Sequence, residues 1–153
     1  LGLSAGQFLS EETYRFSDYY EPLLQAYNKG KIVVYDLETT GLDLDNDEAI
    51  QISAVKTGKN GIKETFNEFI LPEIEIKSSA VSVHGYDKEY IKAHGGRGAE
   101  EVLKDFCDFA SGCVLIGHNS SSFDDIILKR ELKNTPCPPP FPIATTRLKS
   151  PRF

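Results

Sequence analysis

Apolar and polar positions repeat with different periods along this chain, and each period predicts an element. Residues 31–36 (KIVVYD) are a short, nearly unbroken apolar run, the pattern of a buried strand. Residues 49–57 alternate, with Ile50, Ile52 and Ala54 on one face, and 63–71 read as a third strand. Gly58-Lys59-Asn60-Gly61 supplies hairpin turn chemistry between these two, which predicts antiparallel neighbours. Helical spacing appears at 87–94 and more strongly at 99–111, where Val102, Leu103, Phe106, Phe109 and Ala110 recur before a stop at Gly112. Residues 114–117 read as another buried strand, and 123–132 as a helix with Ile126, Ile127 and Leu128 inward. Five of the eight prolines fall in 136–142, a rigid extended loop, and 143–148 is the candidate fifth strand. Ahead of these elements, Ser10 can cap a helix running to about Asn28, with Tyr14, Tyr19, Tyr20, Leu23, Leu24 and Tyr27 as an aromatic-rich face and Lys29-Gly30 as its end. Early strands with a hairpin, then strands alternating with helices, predict an α/β fold with a mixed sheet flanked by helices. Residues 1–30 are expected to be a connecting helix and 31–153 the main domain.

Composition narrows the class. Of 153 residues, 40% are apolar and 26% charged, a globular balance. No apolar run is long enough to span a membrane, and no basic stretch precedes an apolar one at the N-terminus. Three cysteines (Cys107, Cys113, Cys137) match no zinc spacing and cannot all pair, so reduced thiols and a cytoplasmic location are expected. The chain contains no methionine, which leads us to expect an excerpt of a longer polypeptide. Net charge is −6, but residues 126–153 hold six basic side chains against Glu131 alone. Such a chain does not hold nucleic acid by bulk charge; a polyanion would need metal ions or that local basic segment, which reads equally well as solvated surface.

The candidate chemistry begins at Asp36-Leu37-Glu38. Residues two apart on a strand share a face, so two carboxylates stand together at the carboxyl end of a buried strand. Held that close they repel unless a cation lies between them, and hard oxygens suit Mg²⁺ or Mn²⁺; two solvated loop acids are the plain alternative. Thr39-Thr40-Gly41-Leu42 follows, with hydroxyls and a turn where backbone can approach a phosphorylated ligand. The acidic run Asp43, Asp45, Asp47, Glu48 fails as an EF-hand, because Glu48 stands where glycine is needed and Ala54 where glutamate is needed; it reads as a solvated loop. A second candidate is Gly117-His118-Asn119-Ser120-Ser121-Ser122-Phe123-Asp124, leaving a strand and entering a helix. Phe123 anchors this turn, Asp124 faces the sheet edge and Asp125 faces away; a helix cap by Ser122 or Asp124 is the alternative.

In order along the chain stand VVYDLETTGL, then Val83-His84-Gly85, then HNSSSFD. Together these resemble the DEDD (DnaQ-like) 3′–5′ exonuclease family, whose members include proofreading subunits of replicative polymerases; the resemblance runs from Lys31 to Leu148. It implies a ribonuclease H-like fold with a five-stranded mixed sheet, and hydrolysis of terminal phosphodiesters by two divalent metals about 4 Å apart. It also implies Asp36, Glu38 and Asp124 as catalytic metal ligands, with Asp36 bridging. Thr39, Thr40, Gly41, Leu42, His84, Asn119 and Phe123 would lie at the 3′-terminal nucleotide, Leu42 against its base. The implied partners are a single-stranded or frayed 3′ end, DNA rather than RNA, and a polymerase or helicase, associated or fused. The family's third motif, a general-base His or Tyr with a fourth carboxylate, has no counterpart after Asp124, and Ala144-Thr145-Thr146-Arg147-Leu148 stands where members often read Asp-Thr-Leu. The 153 residues alone are therefore expected to be weak or inactive. A catalytically incomplete nucleic-acid-binding or scaffolding module on the same fold is the rival reading.

Overall fold

The apolar run at 31–36 becomes the spine of the molecule. In the computed structural model, which describes residues 16–117, 123–133 and 135, helix α1 (Phe16–Lys29) leads into β1 (Ile32–Thr39), β2 (Ala49–Thr57) and β3 (Glu64–Phe69). Helices α2 (Ser78–His84), α3 (Lys88–Ala93) and α4 (Ala99–Ala110) follow, then β4 (Val114–Gly117) and α5 (Asp124–Leu132). The sheet order is β3-β2-β1-β4; β1 is antiparallel to β2, β2 antiparallel to β3, and β1 parallel to β4. A parallel pair cannot be joined by a tight turn, and helices fill the crossover from the hairpin strands to β4. The α/β architecture with a mixed sheet stands as expected, with one correction: among the described residues the sheet has four strands, not five. The expected fifth strand at 143–148, the proline-rich loop and the Ser10 cap lie outside the described residues.

Alternation along β1 turns Val33, Tyr35 and Leu37 into the core, where they meet Ile52 and Ala54 of β2 and Leu115 of β4. Helix α4 contributes Val102, Leu103, Phe106, Cys107 and Ala110 to the same cluster, and α5 contributes Ile127, Leu128 and Leu132. Phe106 sits between the layers, edge-on to Phe66 at 5.5 Å and 6.3 Å from Tyr35. The expectation that Ile126 also points inward is wrong: it is 39% exposed, because three successive helical positions span more than half a turn. Helix α2 was not expected, and it has no buried residue to generate an apolar period. Cys113 is a free buried thiol.

Helix α1 docks through its C-terminal backbone. Gly30 adopts φ 68°, the left-handed stop, and the Lys59 amide donates to the Tyr27 carbonyl at 2.8 Å. Leu24 and Tyr27 are exposed and Ala26 is buried, so the expected apolar face is only partly packed; the side chains of Tyr14, Tyr19 and Tyr20 are outside the described part.

Candidate active site

The strand pairing itself builds a recess. β1 pairs with β4 only as far as Tyr35 opposite Gly117, yet with β2 as far as Thr39. Residues 36–39 therefore project past the carboxyl end of β4, where the backbone on that side has no strand partner among the described residues. The N-terminus of α5 takes the place: the Leu37 amide donates to Asp124 Oδ2 at 3.4 Å. Leu37 points into the core, and Asp36 and Glu38 take the opposite face, as alternation requires. Asp36 also lines an open groove along the outer sheet face with Val34, Ser53, Val55 and Asn67.

Asp36 is the shared neighbour of the other two acids. Burial, then the charge of Asp36, pushes the Asp124 carboxyl up to about 7, against the pull of the Leu37 amide. Burial, then Asp36, also raises Glu38, while His84 lowers it. Asp125, next to Asp124, is buried on the other side and accepts a hydrogen bond from the Tyr35 hydroxyl. Among the described residues no group of three His, Cys, Asp or Glu side chains is disposed to hold a metal ion. A bulge between Glu38 and Thr39, with Ile50 the extra residue opposite, turns the strand end, and Glu38 answers to Asp36 and His84. Asp36 and Asp124 are brought together; Glu38 stands beside Asp36.

The other predicted residues divide. His84 closes over the strand end: its Nδ1 accepts from the Tyr86 amide at 3.0 Å, so Nε2 carries the hydrogen and donates to the Thr39 carbonyl at 3.0 Å. Thr39 is buried and donates to the Gly41 carbonyl at 2.7 Å. Thr40 is 0% exposed; its hydroxyl donates to Asp47 at 2.8 Å and accepts from the Glu48 amide at 2.9 Å. That leaves no side-chain surface of Thr40 for a nucleotide, and its role shifts to holding the loop. Gly41 is needed for a different reason from the one expected: a Cβ there would lie 2.4 Å from Asp47 Oδ2 and 2.6 Å from Lys77 Cδ. Leu42 is 83% exposed, while Phe123 packs against the core. Asn119 lies outside the described residues.

Sequence reasoning missed Asp47, Lys77 and Arg130. Asp47 is not solvated: it is 1% exposed and ion-paired with Lys77 at 2.7 Å. Burial would raise its proton affinity, but hydrogen bonds from Lys77, the Asp43 amide and Thr40 outweigh burial and leave it lowered. Arg130, read as part of a solvated basic segment, donates to the carbonyls of Leu44 and Asp47. The one sequence signal was an acid two residues before the buried start of β2.

This recess sits in a chain whose residues 33–148 match the family model RNase_T, described as Exonuclease. The chain belongs to the exonuclease family, of the DEDD (DnaQ-like) kind. It is 41% identical over 109 residues to the DNA polymerase III PolC-type of Caldanaerobacter subterraneus subsp. tengcongensis, covering 71% of this chain and 8% of that protein. It is 36% identical over 102 residues to the PolC-type polymerase of Streptococcus pyogenes serotype M1, covering 67% of this chain and 7% of that protein. The chain thus spans less than a tenth of these relatives. Among solved structures, Exonuclease I from Methylocaldum szegediense is 25% identical with a TM-score of 0.61, covering 66% of this chain and 23% of its own. E. coli Exonuclease I in complex with a dA16 oligonucleotide shares the fold at 20% identity and a TM-score of 0.61, with the same coverage. A zinc-bound form of the E. coli enzyme with ssDNA matches equally well.

Proposed function

We propose that this chain is the metal-dependent 3′–5′ exonuclease module of a larger, cytoplasmic DNA-replication polypeptide, with α1 as a connecting helix ahead of a catalytic domain that starts at residue 31. Its substrate is a single-stranded or frayed 3′ end, and its partner a polymerase, fused as in the PolC-type relatives. One observation carries the reading: Asp36 adjoins Asp124 at the open strand end, where burial first and the charge of Asp36 second raise the Asp124 carboxyl to about 7. A pair of adjoining hard-oxygen donors fits Mg²⁺ or Mn²⁺, with Glu38 beside it. A divalent cation bound there supplies Lewis-acid polarisation of water and phosphate, and a second ion is part of the proposal.

The chain's own residues do the positioning. The Leu37 amide fixes one oxygen of Asp124, and His84 braces the Thr39 backbone. Leu42 offers an exposed apolar side chain for the terminal base to lie against, with the Thr39 and Gly41 backbone beside it. Phe123 would border the nucleotide from the α5 side, and Asn119 is a further candidate contact to it. No residue after Glu131 is a His, Tyr, Asp or Glu, so the water-activating base is assigned to none of these residues.

The rival reading is a module on the same fold that binds nucleic acid without cutting it. A 3′-labelled single-stranded oligonucleotide with Mn²⁺ separates the two. The full-length polypeptide should release mononucleotides, and its Asp36→Ala, Glu38→Ala variant should not. Release by both removes the site assignment; binding without release by the wild type establishes the second reading.

A further inference from the structure

We propose that Asp47 is a positioning residue that locks together the three segments carrying the site: the end of β1, helix α2 and helix α5. The proposal rests on the exonuclease reading only for its rate measurement. The buried Asp47 carboxylate accepts from the Thr40 hydroxyl at 2.8 Å, from the Asp43 amide at 2.8 Å and from the Lys77 ammonium at 2.7 Å. Lys77 is the residue that opens α2, and its amide donates to the Thr40 carbonyl at 2.9 Å. At the far end of α2, His84 donates to the Thr39 carbonyl. The helix is therefore tied to the end of β1 at both of its ends, and Asp47 holds the first tie.

The third segment joins through the Asp47 backbone. Its carbonyl and that of Leu44 accept from the Arg130 guanidinium, on the helix whose first residue is Asp124. The next residue, Glu131, accepts from the Ala49 amide at 3.2 Å, so α5 grips both ends of the Asp47–Ala49 corner. A buried carboxylate with one cationic and two neutral donors has a strong preference for one arrangement, because losing a partner leaves charge uncompensated. Asp47 and Lys77 pack against Gly41 closely enough that a Cβ there would collide with both. Asp47 touches none of the reacting groups; it acts through Thr40, Lys77 and Arg130.

The test compares wild type, Asp47→Asn, Lys77→Met and the double variant in the full-length polypeptide. Rates of mononucleotide release are read beside hydrogen exchange at the Leu37 amide, whose acceptor is Asp124. Each single variant should lower kcat by about 10- to 100-fold with KM within about threefold, the signature of misplacement rather than lost binding. Leu37 exchange should accelerate, and the double variant should be no worse than the worse single, since both act on one network. A folded single variant with wild-type kcat and Leu37 protection overturns the proposal, as do additive losses. If Asp47→Asn does not fold, Lys77→Met decides by the same readings, because Thr40 and Asp43 still serve the carboxylate. A wild type that releases no nucleotide sinks the exonuclease reading, while Leu37 exchange still decides the positioning.

Discussion

Burial, and behind it the charge of Asp36, raises the proton affinity of both Glu38 and Asp124. The two causes separate by substitution. In Asp36→Asn the like charge is gone and the burial remains, so the Asp124 carboxyl should titrate below 7 yet above its ordinary 3.8. Carboxyl carbon resonances followed through a pH titration read this directly. An Asp124 midpoint unmoved by Asp36→Asn would mean that burial alone sets it, and the pairing that carries the functional reading would dissolve. His84 plays a different part: with Nδ1 occupied by the Tyr86 amide, its ring braces backbone and is not placed as a base.

Elements were legible where a single period dominated. Helix α4 follows its apolar pattern because it has one face to bury, and β2 keeps Ile52 and Ala54 inward as its alternation requires. Helix α2 was invisible: seven residues with nothing buried leave no pattern, and its place is set instead by Lys77 and His84 gripping β1. The α1 junction was half legible. Gly30 reads as a helix stop, but nothing in the sequence says that Gly58 packs on it. A Cβ at Gly58 would lie 2.5 Å from both the Gly30 Cα and the Tyr27 carbonyl oxygen, backbone atoms that cannot swing aside. Gly58→Ala should therefore destabilise by about 1–3 kcal/mol in urea unfolding. Gly98→Ala, with nothing near its Cβ, is the control and should stay within about 0.5 kcal/mol. Equal effects from the two would mean that α1 is not seated on the hairpin turn.

At the scale of the whole molecule, the sequence told more about which acids gather than about what holds them. Asp36 and Glu38 follow from strand alternation, and Asp124 from a helix that starts where β4 ends. Asp47 looks in sequence like its solvated neighbours, because its burial depends on Lys77 and Arg130, far along the chain. These two kinds of acid pull stability in opposite directions with pH. Asp124 and Glu38 are raised, as is Glu131, chiefly by burial, so their contribution is full below their ordinary values near 4 and is lost as pH rises, through about 7 for Asp124. Asp47 is lowered, so its contribution is present above 3.8 and lost as pH falls further. In EDTA the melting temperature should therefore peak in the mildly acidic range and fall towards pH 8. Mg²⁺ should reverse that fall by binding the ionised Asp124 carboxylate beside Asp36, stabilising by about 2.7 kcal/mol at a hundredfold excess over its Kd. The effect should fade at pH 5, where protons compete for the same oxygens. Melting curves from pH 4 to 9, with Mg²⁺ and with EDTA, test both slopes together. An Mg²⁺ effect independent of pH, or absent at pH 8, would place the cation away from this carboxylate pair.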